Sequence, residues 1–201
     1  MTEVVFLIPQ SDTLETFLGS IEQTVTSNMV HFHNISITTI AGSYVDLSSI
    51  NKALANADVV IYCGHGENEG LGMYSQYIHK DDVLYGNDGI VISIACKTAD
   101  KLGPAIVNQQ TDTFIGFDDD LVVYLKNSHI ALSGFITMIL SLLQTNASTG
   151  HAMHLLDTEL RMIERQYRKR PHPNPDAGII WMATHINRKG LRLLGDPNKT
   201  I

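Results

Sequence analysis

Two cysteines in 201 residues, Cys63 and Cys96, are too few for a disulfide framework, and reduced thiols in a cytoplasmic protein are the expectation. Basic residues are the minority, 14 against 21 acidic, and the net charge of −7 argues against a nucleic-acid-binding surface. No apolar run reaches the ~20 residues a bilayer crossing needs. The longest, Ile130 to Leu143 (IALSGFITMILSLL), reads as a buried helix, so no membrane association is expected. The N-terminus (MTEVVFLIPQ) lacks the basic region of a leader and enters a strand-like run at once. Internal repeats and low-complexity tracts are missing. The glycines at 64, 66, 70 and 72 have no Lys-Ser/Thr ending and no dinucleotide fingerprint, which argues against a phosphate cradle. His31 and His33 have no cysteine or acid spaced to complete a metal site. Neither metal nor organic cofactor is expected.

What the chain does have is a pair of short, continuously apolar runs that end in reactive side chains. Asp58 to Cys63 (DVVIYC) breaks into Gly64-His65-Gly66, and Gly89 to Ala95 (GIVISIA) breaks at Cys96. Runs of this kind are strands buried on both faces of a parallel sheet. As parallel neighbours ~4.8 Å apart, they would bring imidazole and thiol to one carboxyl edge, where open α/β sheets place ligands.

Around them strands and helices alternate. Val4 to Ile8 is a first strand closed by Pro9. Asp12-Thr-Leu-Glu15 has capping-box spacing and opens a helix with Leu14, Phe17, Leu18, Ile21 and Val25 on one side. Ile35 to Ile40 is a second strand, and Leu47 to Ala57 a helix with Leu47, Ile50 and Leu54 inward. The insert Glu67 to Asp88, carrying Tyr74, Tyr77 and Tyr85, reads as a loop with a short hairpin that walls a cleft. Leu102 to Val107 is a helical turn or two, and Thr113 to Phe117 a strand ending in Asp118-Asp119-Asp120. Helices follow over Ala131–Leu143 and Ser148–Tyr167. The last helix is capped by Asp176, with Ile179, Met182, Ala183 and Ile186 on one face, and Leu191 to Leu194 is a closing strand. The pattern predicts one three-layer α/β domain over residues 1–201, its central sheet mainly parallel and flanked by helices.

These pieces resemble the caspase-like (clan CD) cysteine peptidases, and within them the gingipain and CHAT branch. The likeness lies in Val59-Val-Ile-Tyr-Cys-Gly-His65-Gly66, in Val91-Ile-Ser-Ile-Ala95-Cys96, in Leu102-Gly-Pro-Ala-Ile106 with Phe114-Ile-Gly-Phe117, and in the closing Leu193-Leu-Gly-Asp-Pro197. It runs in family order from about Asp58 to the end. It implies a caspase-like fold, no cofactor, and an endopeptidase in which Cys96 attacks carbonyl carbon while His65 moves the proton. It also implies an oxyanion hole from the backbone N–H groups of Gly66 and Cys96.

Asp118, Asp119 and Asp120, with Asp46 after the second strand, are candidate substrate-binding carboxylates that would favour Arg or Lys by charge-assisted pairing. The plain alternative for an acidic run is a solvated turn. Cys63, inside its strand, is expected to pack. The basic run Arg165 to Arg170 before Pro171-His-Pro-Asn-Pro175 is a candidate site of self-cleavage if the pocket is acidic. Expected partners are a peptide or protein substrate and an activating protein or a second copy. The rival readings are a non-catalytic binding module of the same fold and a subunit of a regulated defence or stress assembly.

Overall fold

The structure, a computed structural model, describes residues 1–10, 12–72, 78–82, 88–109, 111–169 and 171–201. The apolar runs assemble into a six-stranded sheet in the order β2-β1-β3-β7-β8-β9. Its strands are β1 (Thr2–Ile8), β2 (Ile35–Ala41), β3 (Val59–Cys63), β7 (Ile90–Ile94), β8 (Thr113–Phe117) and β9 (Leu191–Gly195). All pairs are parallel except β8 with β9. The three innermost strands of the site, β3, β7 and β8, are buried at every position, as their unbroken apolar sequences require.

Alternation along those strands sorts the core into two layers. Val59, Ile61, Ile90, Ile92 and Ile115 face α1 (Thr13–Met29), α4 (Ser128–Thr145) and α5 (Thr149–Arg168). Val60, Tyr62, Val91 and Phe114 face α2 (Leu47–Asn56) and α3 (Leu102–Asn108). The architecture is therefore the expected three-layer α/β sandwich with a mainly parallel sheet. A sixth helix, α6 (Ala177–Gly190), packs on α5 through Ala177 and Ile180.

The insert after β3 forms a small antiparallel sheet of β4 (Gly66–Glu67), β5 (Gly70–Leu71) and β6 (Ile78–His79). The tyrosines at 74, 77 and 85 lie outside the described residues, as does Arg170. Two inward faces are corrected. Leu47 is exposed, because α2 buries Ile50, Ala53 and Leu54 instead. Ile179 and Met182 are about half exposed, because α6 turns Ala177, Ile180, Ala183, Thr184 and Asn187 inward. Asp176 precedes α6 without a side-chain cap.

Candidate active site

Parallel register decides what can meet. Val59 pairs with Ile90, and each step onward keeps the match until Cys63 pairs with Ile94. His65 and Cys96 lie two residues beyond that last pair, on adjacent exit loops of the same edge. Gly64 N–H still donates to Ile94 C=O at 3.3 Å, so the two loops stay joined past the strands. Both side chains line one open cleft of about 770 Å³, together with Gly66, Lys97, Asp118 and Asp120.

The histidine loop is anchored from below and beside. Tyr62, buried in the core, donates its hydroxyl to His65 C=O at 2.9 Å. His65 N–H reaches the buried Glu15 carboxylate at 3.4 Å. The imidazole Nε2 lies 2.6 Å from Asp12 Oδ2. Asp12 uses its other oxygen to cap α1, accepting Glu15 N–H at 2.9 Å. That amide hydrogen bond first, and the His65 contact second, hold the Asp12 carboxyl below its ordinary range.

The sequence marks Asp12 only as a helix cap. The signal for its second role was its place just past β1, the strand beside β3. Across the carboxyl edge the order of strands β1, β3, β7 and β8 becomes the order Asp12, His65, Cys96 and Asp118–Asp120.

Cys96 is free and half-buried. Burial pushes its thiol above the ordinary range, partly countered by Leu121 N–H, which donates to Sγ at 3.3 Å. Lys97 follows with φ +56°, a left-handed conformation that costs a lysine energy and is concentrated at functional turns. Gly66 presses on this turn: a Cβ there would come within 2.8 Å of Cys96 O and 2.6 Å of the Thr98 methyl. Cys63 is fully buried, and that burial drives its thiol pKa far up.

The four candidate carboxylates separate. Asp118 lines the cleft and pairs with Arg192; Asp120 lines it and pairs with Lys97 at 3.0 Å. Asp119 accepts Asp120 N–H, and Asp46 caps α2 through Ser49 N–H; neither is among the cleft-lining residues. Among the described residues no group of three or more His, Cys, Asp or Glu is placed to hold a metal. No helix among them is long and apolar enough to cross a membrane.

No protein-family model matches the chain, and no curated protein matches it. Solved structures do resemble it in fold. One, described as the structure of a protease, superposes with a TM-score of 0.61 at 11% identity, covering 98% of this chain and 48% of its own. The Saccharomyces cerevisiae separase–securin complex superposes with a TM-score of 0.61 at 14% identity, covering 100% of this chain and 12% of its own. The chain thus spans less than half the length of either. The shared architecture is the caspase-like α/β fold.

Proposed function

We propose that the chain is a cysteine endopeptidase domain, residues 1–201, that cuts peptide bonds through a His65/Cys96 dyad and a thioester acyl-enzyme. The observation that carries this reading is the equal offset of His65 and Cys96 beyond the matched pair Cys63 and Ile94, with both side chains in one cleft. The branch nearest to gingipain and CHAT domains remains part of the proposal, on the His-Gly, Ala-Cys and Gly-Asp-Pro segments.

Burial keeps the proton on sulfur, so the nucleophile needs a base. Asp12 accepts from His65 Nε2–H, which fixes the tautomer and leaves Nδ1 to receive the thiol proton. Cys96 Sγ then attacks the scissile carbonyl carbon. The backbone N–H groups of Gly66 and Cys96 donate to the oxygen that gains charge, a contribution of ~3–4 kcal/mol where such donors are preorganised. His65 returns its proton to the departing amine as the C–N bond breaks. Water, deprotonated by the same imidazole, attacks the thioester and releases the acid and the thiol. No metal or organic cofactor enters these steps.

Asp118 and Asp120 are the proposed substrate carboxylates, favouring Arg or Lys before the cleaved bond; Asp46 and Asp119 are less well placed for it. The test is labelling with an acyloxymethyl ketone probe carrying Arg or Lys, on wild type, Cys96→Ala and Cys63→Ala. Labelling lost only in Cys96→Ala supports the enzyme; labelling that survives this change refutes it. No labelling of any form would leave a binding module of the same fold or an enzyme awaiting its activator.

A second reading is a unit of a larger assembly, switched on by a protein partner or a second copy. Two free cysteines agree with a cytoplasmic location.

A further inference from the structure

Helix α6 is linked to the Cys96 loop by hydrogen bonds through an intermediate segment. Its Asn187 is 6% exposed and spends its whole amide on Val122: Oδ1 accepts Val122 N–H and Nδ2 donates to Val122 C=O, each at 2.8 Å. Three residues on, Gly190 C=O accepts Asp118 N–H at 2.9 Å. The segment so gripped is bonded in turn to the cysteine loop at three points. Leu121 N–H donates to Cys96 Sγ at 3.3 Å, Asp119 C=O accepts Lys97 N–H at 3.0 Å, and Phe117 C=O accepts Ala99 N–H at 2.8 Å.

Leu121 C=O and Val122 N–H lie in one peptide plane, so the hold of Asn187 on Val122 fixes the Leu121 carbonyl, which accepts from Cys96 Sγ at 3.9 Å, and limits where the Leu121 N–H of the next plane can point. A buried primary amide is costly unless both its ends are bonded, and only a side chain with a donor and an acceptor can copy a neighbouring strand here. We infer that Asn187 is a positioning residue for Cys96, fixing the Leu121 N–H on the sulfur so that a ready donor meets the thiolate when it forms. This rests on the peptidase reading for its purpose, though not for its measurement.

The charges acting on the sulfur, Lys97 and Asp120, and the cleft-lining His65 and Asp118 are left in place by the variants that test it, although Asn187→Asp adds a carboxylate of its own, so Asn187→Leu is the uncharged reference. In a Cys63→Ala background, the rate of Cys96 alkylation by iodoacetamide is followed across the thiol titration for wild type, Asn187→Asp and Asn187→Leu. Asp keeps the acceptor for Val122 N–H and loses the donor; Leu loses both. The expected result is a titration midpoint displaced upward, with alkylation at neutral pH slowed about three- to tenfold in Asn187→Leu and less in Asn187→Asp. An unchanged midpoint and rate in the folded variants overturns the assignment. Should Asn187→Leu fail to fold, Asn187→Asp and amide exchange on the wild type decide: a Leu121 amide that exchanges as fast as an open loop also overturns it. Neither readout needs a peptide substrate. A displaced midpoint without peptide cleavage would sustain Asn187's role and count against the peptidase.

Discussion

Asp12 holds two structures with one carboxylate, and the two can be separated by choice of substituent. Asn is as good an N-cap as Asp but carries no charge for an imidazolium, whereas Ala offers neither. Asp12→Asn should therefore leave the urea midpoint close to wild type and lower kcat by about ten- to a hundredfold through loss of the His65 orienter. Asp12→Ala should lose the same activity and about 1 kcal/mol of stability besides. Peptide turnover beside urea denaturation distinguishes them. The same carboxyl has a folded pKa below its unfolded one, so its contribution is present above the unfolded value and is lost only as pH falls through the lower folded value. Activity should accordingly not fall in mild acid on Asp12's account. Cys96 behaves oppositely. Burial raises its pKa, so iodoacetamide should react with a midpoint above that of a free cysteine, measured by alkylation rate against pH. Cys63 should stay unlabelled until the chain is unfolded, because it is sealed in the core.

At the level of elements, the contact between the histidine and cysteine loops leaves no room for one methyl group. Gly66→Ala would place a carbon 2.8 Å from the Cys96 carbonyl, which is backbone and cannot swing aside. The loops must part, and kcat should fall at least tenfold with little change in secondary structure, as seen by turnover beside circular dichroism. This neighbourhood was legible in sequence because short apolar runs that break at once into glycine or cysteine suit strands buried on both faces, and parallel neighbours exit at the same edge. The sheet strands and helices were readable for the same reason: Ile50 and Leu54, or Leu18, Ile21 and Val25, recur at helical spacing and are buried. Periodicity misled where packing is made by small or polar groups. The hydropathy of Ile179 and Met182 pointed them inward, yet α6 buries Ala183, Thr184 and Asn187, since a close approach to the segment after β8 needs small side chains and an amide. Leu47 differs likewise: it is exposed at the start of α2, whose packing is carried by Ile50, Ala53 and Leu54. Asp12 was hidden because capping already accounted for it. The Asn187 grip spans 65 positions of sequence, with no local pattern to announce it.

Over the whole molecule the question is what the field at the cleft selects. The chain carries −7, and the cleft is lined by five carboxylates, Glu67, Glu69, Asp100, Asp118 and Asp120, against the two lysines Lys97 and Lys101. Several of these are already paired: Asp118 with Arg192, Asp120 with Lys97, and Glu69 with Lys101 at 3.0 Å. Two effects would therefore compete for the proposed cationic substrate, the general negative potential and whichever carboxylate can release its internal partner. They differ in their dependence on salt. Attraction by the general potential is screened over ~8 Å at physiological ionic strength, whereas a direct contact in the cleft is screened much less. If the field alone selects, kcat/KM for an Arg peptide should fall steeply from low to high salt and Asp118→Asn should matter little. If Asp118 makes the contact, the substitution should lower kcat/KM for Arg and Lys peptides about tenfold or more while sparing an uncharged analogue. The second outcome is expected, because Arg192 is nearly half exposed and can leave Asp118 for water at little cost. Equal losses on charged and uncharged peptides would instead assign Asp118 to holding the loop after β8, through Arg192 and Gly190, and would move substrate selection elsewhere in the cleft.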